Sequence, residues 1–378
     1  MKLGDICSKI GSGATPRGGK DSYKDSGTAI IRSQNVLDWS FSSSGLAFID
    51  DDQSKALSNV EVKQGDVLLN ITGDSVARAC MVPSEFLPAR VNQHVAIIRA
   101  NEEANNLFLL AWLQANKGTL LKLASSGATR NALTKRMLEN LDVNLPSIDV
   151  QNKVAAFIDS IQAKITLNAR LNGYLLDLAT AQFEAALKER ASNVRLGDIV
   201  GLEDSKRVPL NSRDRESRKG PYPYYGATSI MDYVDDYLFD GVRVLLGEDG
   251  SVIDSEGKPV LQYVWGRYWV NNHAHILKAA GAYPLEAIYV ALRRTSIGHI
   301  VTGAVQMKIS QRNLKKLEVS MPDPGSLDYL QPLFAAYRNL CEESRHLVTL
   351  RDTLLPKLMT GEIDVSELNL KQLNSHLA

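Results

Sequence analysis

The stretch from Asp149 to Lys188 constrains this chain more than any other. It holds no proline and one glycine, Gly173, and apolar residues recur along it at three- and four-residue steps: Val154, Ile158, Ile161, Ile165, Leu171, Leu175 and Leu178. That spacing lays one apolar stripe on an α-helix. At about 1.5 Å per residue the helix runs for roughly 60 Å, beyond the usual length in a globular domain. Asp149, just after Pro146, is the expected N-cap. Asn168 and Asn172 interrupt the stripe, as buried amides do where they fix the register of a coiled coil. A long core helix inside a single domain would show the same spacing, and a second stripe tips the balance against it. Leu330, Leu333, Tyr337, Leu340, Ser344, Leu347, Arg351 and Leu354 alternate steps of three and four, with two polar members. Two such helices can bury their stripes against one another, which places Ile158 and Leu340 in one shared seam.

Each long stripe follows a globular segment, and the two segments are related. Lys2-Leu3-Gly4-Asp5-Ile6 returns as Arg195-Leu196-Gly197-Asp198-Ile199, and Val91-Asn92-Gln93-His94 returns as Val270-Asn271-Asn272-His273. A gapless block carries Gly127-Ala128, Leu133, Arg136, Leu138, Leu141, Val143, Leu145 and Pro146 onto Gly303-Ala304, Ile309, Arg312, Leu314, Leu317, Val319, Met321 and Pro322. The order head, helix, head, helix marks a tandem duplication. Within the heads, Gly65–Ile71 and Gly241–Gly247 read as buried strands opening at turns, with further strands over Val95–Arg99 and His275–Lys278. Leu107–Leu123 and Pro284–Arg294 read as helices. The fold class is α+β (mixed α/β): two similar globular domains separated by a pair of long helices forming a coiled coil. The expected boundaries are 1–148 and 194–325 for the heads, 149–193 for the first helical spacer, and 326–378 for the second spacer with a polar tail.

At 378 residues the chain can bury more than one core. Its 43 basic and 43 acidic side chains cancel, so any nucleic-acid surface has to come from local clustering. Cys7, Cys80 and Cys341 are far apart, without metal or redox spacing. No run is apolar and long enough for a signal peptide or a membrane span, so the expected setting is the cytoplasm, with no membrane partner.

Taken together the pieces resemble the specificity (S) subunit of a type I restriction–modification enzyme over essentially the whole chain. The marks are Leu3-Gly4-Asp5-Ile6, Gly13-Ala14-Thr15-Pro16, Gly65-Asp66-Val67-Leu68, the Pro146 block ending in Gln151, and Leu354-Leu355-Pro356-Lys357-Leu358-Met359-Thr360-Gly361-Glu362-Ile363. The resemblance implies that each head is a target recognition domain reading one half of a split double-stranded DNA sequence. It implies that the helices pair antiparallel, set the distance between heads and dock two methylation subunits, with restriction subunits completing the complex. It places S-adenosylmethionine, ATP and Mg on those partner subunits and no cofactor on this chain. The second head departs from the pattern, since nothing like Gly13-Ala14-Thr15-Pro16 follows Ile199. Two heads on a stiff rod suit half-sites at fixed separation, one DNA turn being roughly 34 Å.

If the heads read different half-sites, residues shared between them hold the scaffold, and readout lies where loops diverge. Asn92/Asn271 and His94/His273 therefore read as structural. In the first head the donor-rich loops supply Arg17, Lys20, Gln34, Asn35, Thr72, Asp74 and Arg78 as DNA-binding candidates. Arg suits guanine O6/N7, and Asn or Gln suits adenine N6/N7. In the second head the densest basic and aromatic cluster supplies Lys206, Arg207, Arg213, Arg215, Arg218, Lys219, Tyr222 and Tyr225, suited to phosphate contact, although Asp214 and Glu216 partly cancel it. Glu248, in a Glu248-Asp249-Gly250-Ser251 parallel to Gly73-Asp74-Ser75, could accept from cytosine N4. Arg130 and Lys308, in the matched block, fit a phosphate role common to both heads.

A search for chemistry finds none. Gly13–Lys20 misses the phosphate-loop pattern at Ala14 and Asp21, and Gly11-Ser12-Gly13 lacks a third glycine. The chain has no Pro-Pro for an amino-methyltransferase motif, and His273-Ala274-His275 has no third metal ligand in view. The expectation is a non-catalytic, metal-free recognition subunit of a multi-subunit methyltransferase and endonuclease. The alternatives are an adaptor whose two heads bind protein, and a self-contained DNA modification enzyme.

Overall fold

The computed structural model describes residues 1–125, 131–303 and 306–365. The chain divides into two compact units, Met1–Asn168 with Glu342–Ala378, and Ala169–Cys341. Each unit holds one head and one half of each long helix.

In the first unit, Val67–Asn70 starts just after a turn at Gly65, whose φ of 86° suits glycine, and all four of its residues are buried. Strand side chains alternate, so Val67 and Leu69 enter the core shared with the helices, while Leu68 enters a second core beneath another sheet. This strand's sheet has the order Cys7–Ser12, Val95–Ala100, Val67–Asn70, Ala79–Met81, all antiparallel. The second sheet runs Ala47–Ile49, Thr28–Ile31, Ala89–Val91, Glu61–Val62, with its central pair parallel. The helix expected over Leu107–Leu123 is two, Asn106–Ala115 and Lys117–Ser125. It breaks at Asn116, whose amide donates back to the Trp112 carbonyl.

The second unit builds its head in the same way. Val200–Leu202, Ala274–Ala279, Arg243–Gly247 and Leu261–Val264 form the antiparallel sheet. Ile230–Val234, Lys219–Tyr225, Arg267–Val270 and Phe239–Asp240 form the other, again with a parallel central pair. Here too Val244 and Leu246 face the helix-side core and Leu245 the opposite one. The recurring Leu-Gly-Asp-Ile turn has a steric reason. A Cβ on Gly197 would lie 2.8 Å from the Lys315 Cβ and 2.9 Å from its carbonyl, and one on Gly4 would lie 3.3 Å from the matching atoms of Glu139. Each turn is pinned there, Leu3 N–H donating to Leu141 O and Leu196 N–H to Leu317 O.

The long helices span Ile148–Glu189 and Leu330–Thr360, the first agreeing with the sequence reading to one residue at either end. Asp149 lies within the first turn, where a carboxylate favours the helix dipole, and is not the N-cap. In the first unit Val154, Phe157, Ile158 and Ile161 share a core with Leu347, Leu355 and Leu358, while Asn168 donates to Glu343 Oε2 at 2.7 Å. In the second unit Ala179 and Phe183 share a core with Leu330 and Phe334, while Asn172 donates to Cys341 Sγ. Positions rise on one helix as they fall on the other, so the pairing is antiparallel within each unit.

Two expectations need correcting. Ile158 and Leu340 do not share a core, because antiparallel register sets Ile158 in the first unit with Leu355 and leaves Leu340 in the second. The buried seam also keeps its alternation through Ile165, Asn168 and Asn172 to Ala179 and Phe183, which leaves Leu171 and Leu178 exposed. The second stripe is buried at Leu330, Leu347 and Arg351 and half-buried at its other members, Ser344 included. Arg351 donates to Gln162 Oε1 at 2.9 Å and lies 4.7 Å over the Trp39 ring.

Buried polar groups tie each head to its helices. Gln151 accepts from the Asn105 amide and donates to the Glu103 and Pro146 carbonyls. In the second unit Glu286 accepts from Tyr263 and from Gln331 of the second long helix. The second head has an interior polar cluster of its own. Asp204 accepts from the Ile276 amide at 2.9 Å, from Gln311 at 2.6 Å and from His275 Nδ1 at 2.6 Å, while His275 Nε2 faces Ile309 O at 2.8 Å. Arg207 reaches the Ala274 carbonyl and Glu248. This cluster stands where the first head runs Gly13 and Ala14 against the Val95 and Val91 carbonyls, so close that a Cβ on Gly13 would fall 2.0 Å from Val91 O. A carboxylate pin has replaced close backbone packing, and the missing Gly-Ala-Thr-Pro motif is thereby explained.

Burial opposes the charge of Asp204, but His275, the Ile276 amide and Arg207 outweigh it and hold the carboxyl below its ordinary range. A depressed folded pKa stabilises above the unfolded value of about 4, and that contribution is lost as pH falls through the folded value. Asp204→Asn should therefore cost about 3 kcal/mol at pH 7, with the deficit shrinking in acid. Urea denaturation of both proteins across pH 3–7 checks this; a deficit independent of pH would contradict it.

Candidate nucleic-acid interface

Both heads present the same turn after their central strand. In the first, Ile71 N–H donates to His94 O, Gly73 N–H to Asn131 O, and Leu133 N–H to Ile71 O. In the second, Glu248 N–H donates to His273 O, Gly250 N–H to Met307 O, and Ile309 N–H to Glu248 O. Gly73 and Gly250 both take positive φ, 76° and 80°. The equivalence is therefore Thr72 with Asp249, Gly73 with Gly250 and Asp74 with Ser251, one residue away from the parallel expected from sequence. It also matches Lys308 to Ala132, through the bridges Asp249–Lys308 and Thr72–Ala132, and not to Arg130. Arg130 and the side chain of Lys20 lie outside the described residues.

The first head's turn opens into a depression of about 470 Å³ lined by Ser33, Gln34, Thr72, Gly73, Asp74, Ser75, Arg78 and His94. The expected Gln34, Thr72, Asp74 and Arg78 thus converge. Asn35 does not join them. It is fully buried, its amide donating to Ser42 O and Ser44 O and its carbonyl accepting from Arg32 N–H. It holds the loop that presents Gln34 and cannot meet a base edge. Arg17 is exposed outside this lining, its backbone clamped by both ends of the Gln53 amide.

In the second head the basic and aromatic cluster is largely spent on the fold. Arg215 donates to Leu210 O, pairs with Asp232 and lies 5.4 Å over the Tyr224 ring. Arg218 pairs with Asp235 and lies 4.9 Å over Trp269, and Lys219 pairs with Asp232 at 2.9 Å. The neutralising carboxylates come from and just after Ile230–Val234, the strand that hairpins back on the cluster's own. Tyr225 is buried edge-on to Tyr268, out of reach of a ligand, and Tyr222 is half-buried against Tyr237. Arg207 and Glu248 belong to the interior cluster. Four of the candidate cations keep exposed side chains: Arg213, Lys206 beside Glu203, Lys219 on Asp232, and Lys308 at 3.6 Å from Glu248. Asp204, Glu248 and His275 lie close enough to suggest a cation site, but Arg207, Lys308 and Gln311 already satisfy those carboxylates.

His94, which its recurrence as His273 marks as scaffold, also lies in the lining of the depression. The recurring asparagines do serve the scaffold: Asn92 Oδ1 accepts from His94 N–H and Asn271 Oδ1 from His273 N–H.

Comparison with known proteins agrees with this duplicated architecture. The type I restriction modification DNA specificity domain matches the chain twice, over residues 1–175 and 189–331. A Haemophilus influenzae protein described as a type I restriction enzyme specificity subunit is 30% identical over 127 residues, 34% of this chain and 32% of that protein. The MjaIX specificity subunit of Methanocaldococcus jannaschii is 24% identical over 288 residues, 66% of each chain. The aligned region thus spans about a third of the first relative's length and about two thirds of the second's. The crystal structure of the type I restriction-modification S subunit from M. genitalium shares the fold, with a TM-score of 0.55 over 95% of both chains at 15% identity. With both heads matched, the chain belongs to the family of type I restriction–modification DNA specificity subunits.

Proposed function

We propose that this chain is the DNA-recognition subunit of a type I restriction–modification complex, each head reading one half of a bipartite target in double-stranded DNA. The observation that carries this reading is the duplicated turn. The same backbone bonds hold it in both heads, while the side chains it presents differ: Thr72 and Asp74 against Asp249 and Ser251. A common mount with different faces is what reading two unlike half-sites requires. The long helices set the spacer between the half-sites. The chain performs no chemistry itself; S-adenosylmethionine, ATP and Mg belong to methylation and restriction subunits, and the complex works in the cytoplasm. Among the described residues no helix is long and apolar enough to cross a membrane.

The first long helix offers a surface for two methylation subunits. Leu171, Tyr174 and Leu178 are 37%, 61% and 44% exposed at heptad spacing, off the buried seam, and Leu167 is 45% exposed one turn earlier. An apolar row facing away from its own coiled coil suits a protein partner.

Two outcomes follow. Methylation mapping of cells expressing this chain with its methylation subunits should return one bipartite motif with an unread spacer; a continuous motif, or none, would remove the reading. Leu171→Glu with Leu178→Glu should leave the melting temperature of the isolated chain within about 2 °C of wild type, because neither side chain is in a core. The same pair should weaken co-purification with methylation subunits by roughly tenfold or more. Wild-type assembly by the double variant would move the docking surface elsewhere.

A further inference from the structure

The two histidines do more than the scaffold asks of them. What the turn uses from each is backbone: the carbonyl that accepts from Ile71 or Glu248, and the N–H that donates to Asn92 or Asn271. Any residue offers those groups, yet both heads place an imidazole there. Neither ring is in a core. His94 is half-buried at the lining of the depression, and the His273 side chain is 45% exposed. Each ring turns Nδ1 to the equivalent turn residue, Thr72 Oγ1 at 2.7 Å in the first head and Asp249 Oδ1 in the second. One ring position is thus kept while the chemistry of its neighbour changes.

Resting on the DNA-recognition reading above, we propose that His94 and His273 each read a base in their own half-site, and that Thr72 or Asp249 sets what the ring can read. An ionised carboxylate only accepts hydrogen bonds, so Nδ1 of His273 carries the proton that it donates to Asp249. With the ring in its neutral form, that tautomer leaves Nε2 with a free lone pair. A lone pair takes an exocyclic amine, adenine N6 or cytosine N4, both of which face the major groove. The Thr72 hydroxyl can give or take a proton, so it leaves His94 open to either role, with the Gln93 amide nitrogen 3.4 Å from its Nε2. Fixed orientation with changed polarity lets one mount discriminate differently in its two copies.

The test uses the full chain assembled with its methylation subunits and a library of duplexes randomised in both half-sites, with the bound pool sequenced. Asp249→Asn keeps shape but replaces an acceptor-only group with an amide that can accept or donate, so Nδ1 no longer has to hold the proton and Nε2 is free to become an N–H donor. Discrimination for an amine-bearing base over guanine and thymine at one position of one half-site should fall by roughly tenfold or more, with the other half-site unchanged. His94→Ala should flatten preference at one position of the opposite half-site. Wild-type preference at every position in both variants would overturn the proposal and leave the DNA-recognition reading intact. A uniform loss across the library with unchanged preferences would show a scaffold role and overturn it equally. Selection of no bipartite sequence by the wild-type complex would overturn both. If His94→Ala fails to fold by circular dichroism, the near-isosteric Asp249→Asn decides alone.

Discussion

Everything in this molecule depends on the phase of one seam. The first long helix keeps its three-four alternation from Val154 to Phe183 only because it accepts Asn168 and Asn172 where leucine would pack better. Their amide nitrogens reach Glu343, Ser344 and Cys341, while among the described residues both Oδ1 atoms are buried without a hydrogen-bond partner. An unpaired buried acceptor costs on the order of 1–3 kcal/mol, so the seam gives up stability at these positions. The gain is register: any slide of one helix along the other would bury these amides against leucine. Arg351, bonded to Gln162 and lying over Trp39, extends the same logic from the seam into a head.

The heads are built on a division between backbone and side chain. In both copies main-chain bonds fix the turn, the glycine and the strand order, and these bonds are indifferent to most side chains. Divergence can then proceed without unfolding. It has gone far enough to exchange the close-packed Gly13 of the first head for the Asp204–His275 pin of the second, two solutions to holding the same stretch of chain. A domain that has to change what it recognises while remaining mounted on a fixed frame benefits from that separation.

Much of this was legible in the sequence. The limits of the first long helix could be read because proline is absent and the apolar spacing is regular. The duplication was visible because a block ending in proline recurs without a gap. Past Asn168 the phase was misread, since Leu171 and Leu178 look more like core than Ala179, and bulk outweighed continuity. Asn35 and Tyr225 were misplaced because their partners, the Ser42 carbonyl and the Tyr268 ring, are set by tertiary folding. The basic run in the second head looked free because Asp232 and Asp235, which neutralise it, arrive on the returning strand.

The central claim is that helix length, held in register, sets the separation of the two half-sites. The direct test inserts one heptad after Gln162 and one between Leu350 and Arg351, opposite each other in the antiparallel seam, so that the phase is kept. Seven helical residues add about 10 Å, close to three base pairs of DNA. Methylation mapping with the lengthened chain should return the same two half-sites with a spacer about three base pairs longer. The original spacer, at wild-type preference, would contradict the account.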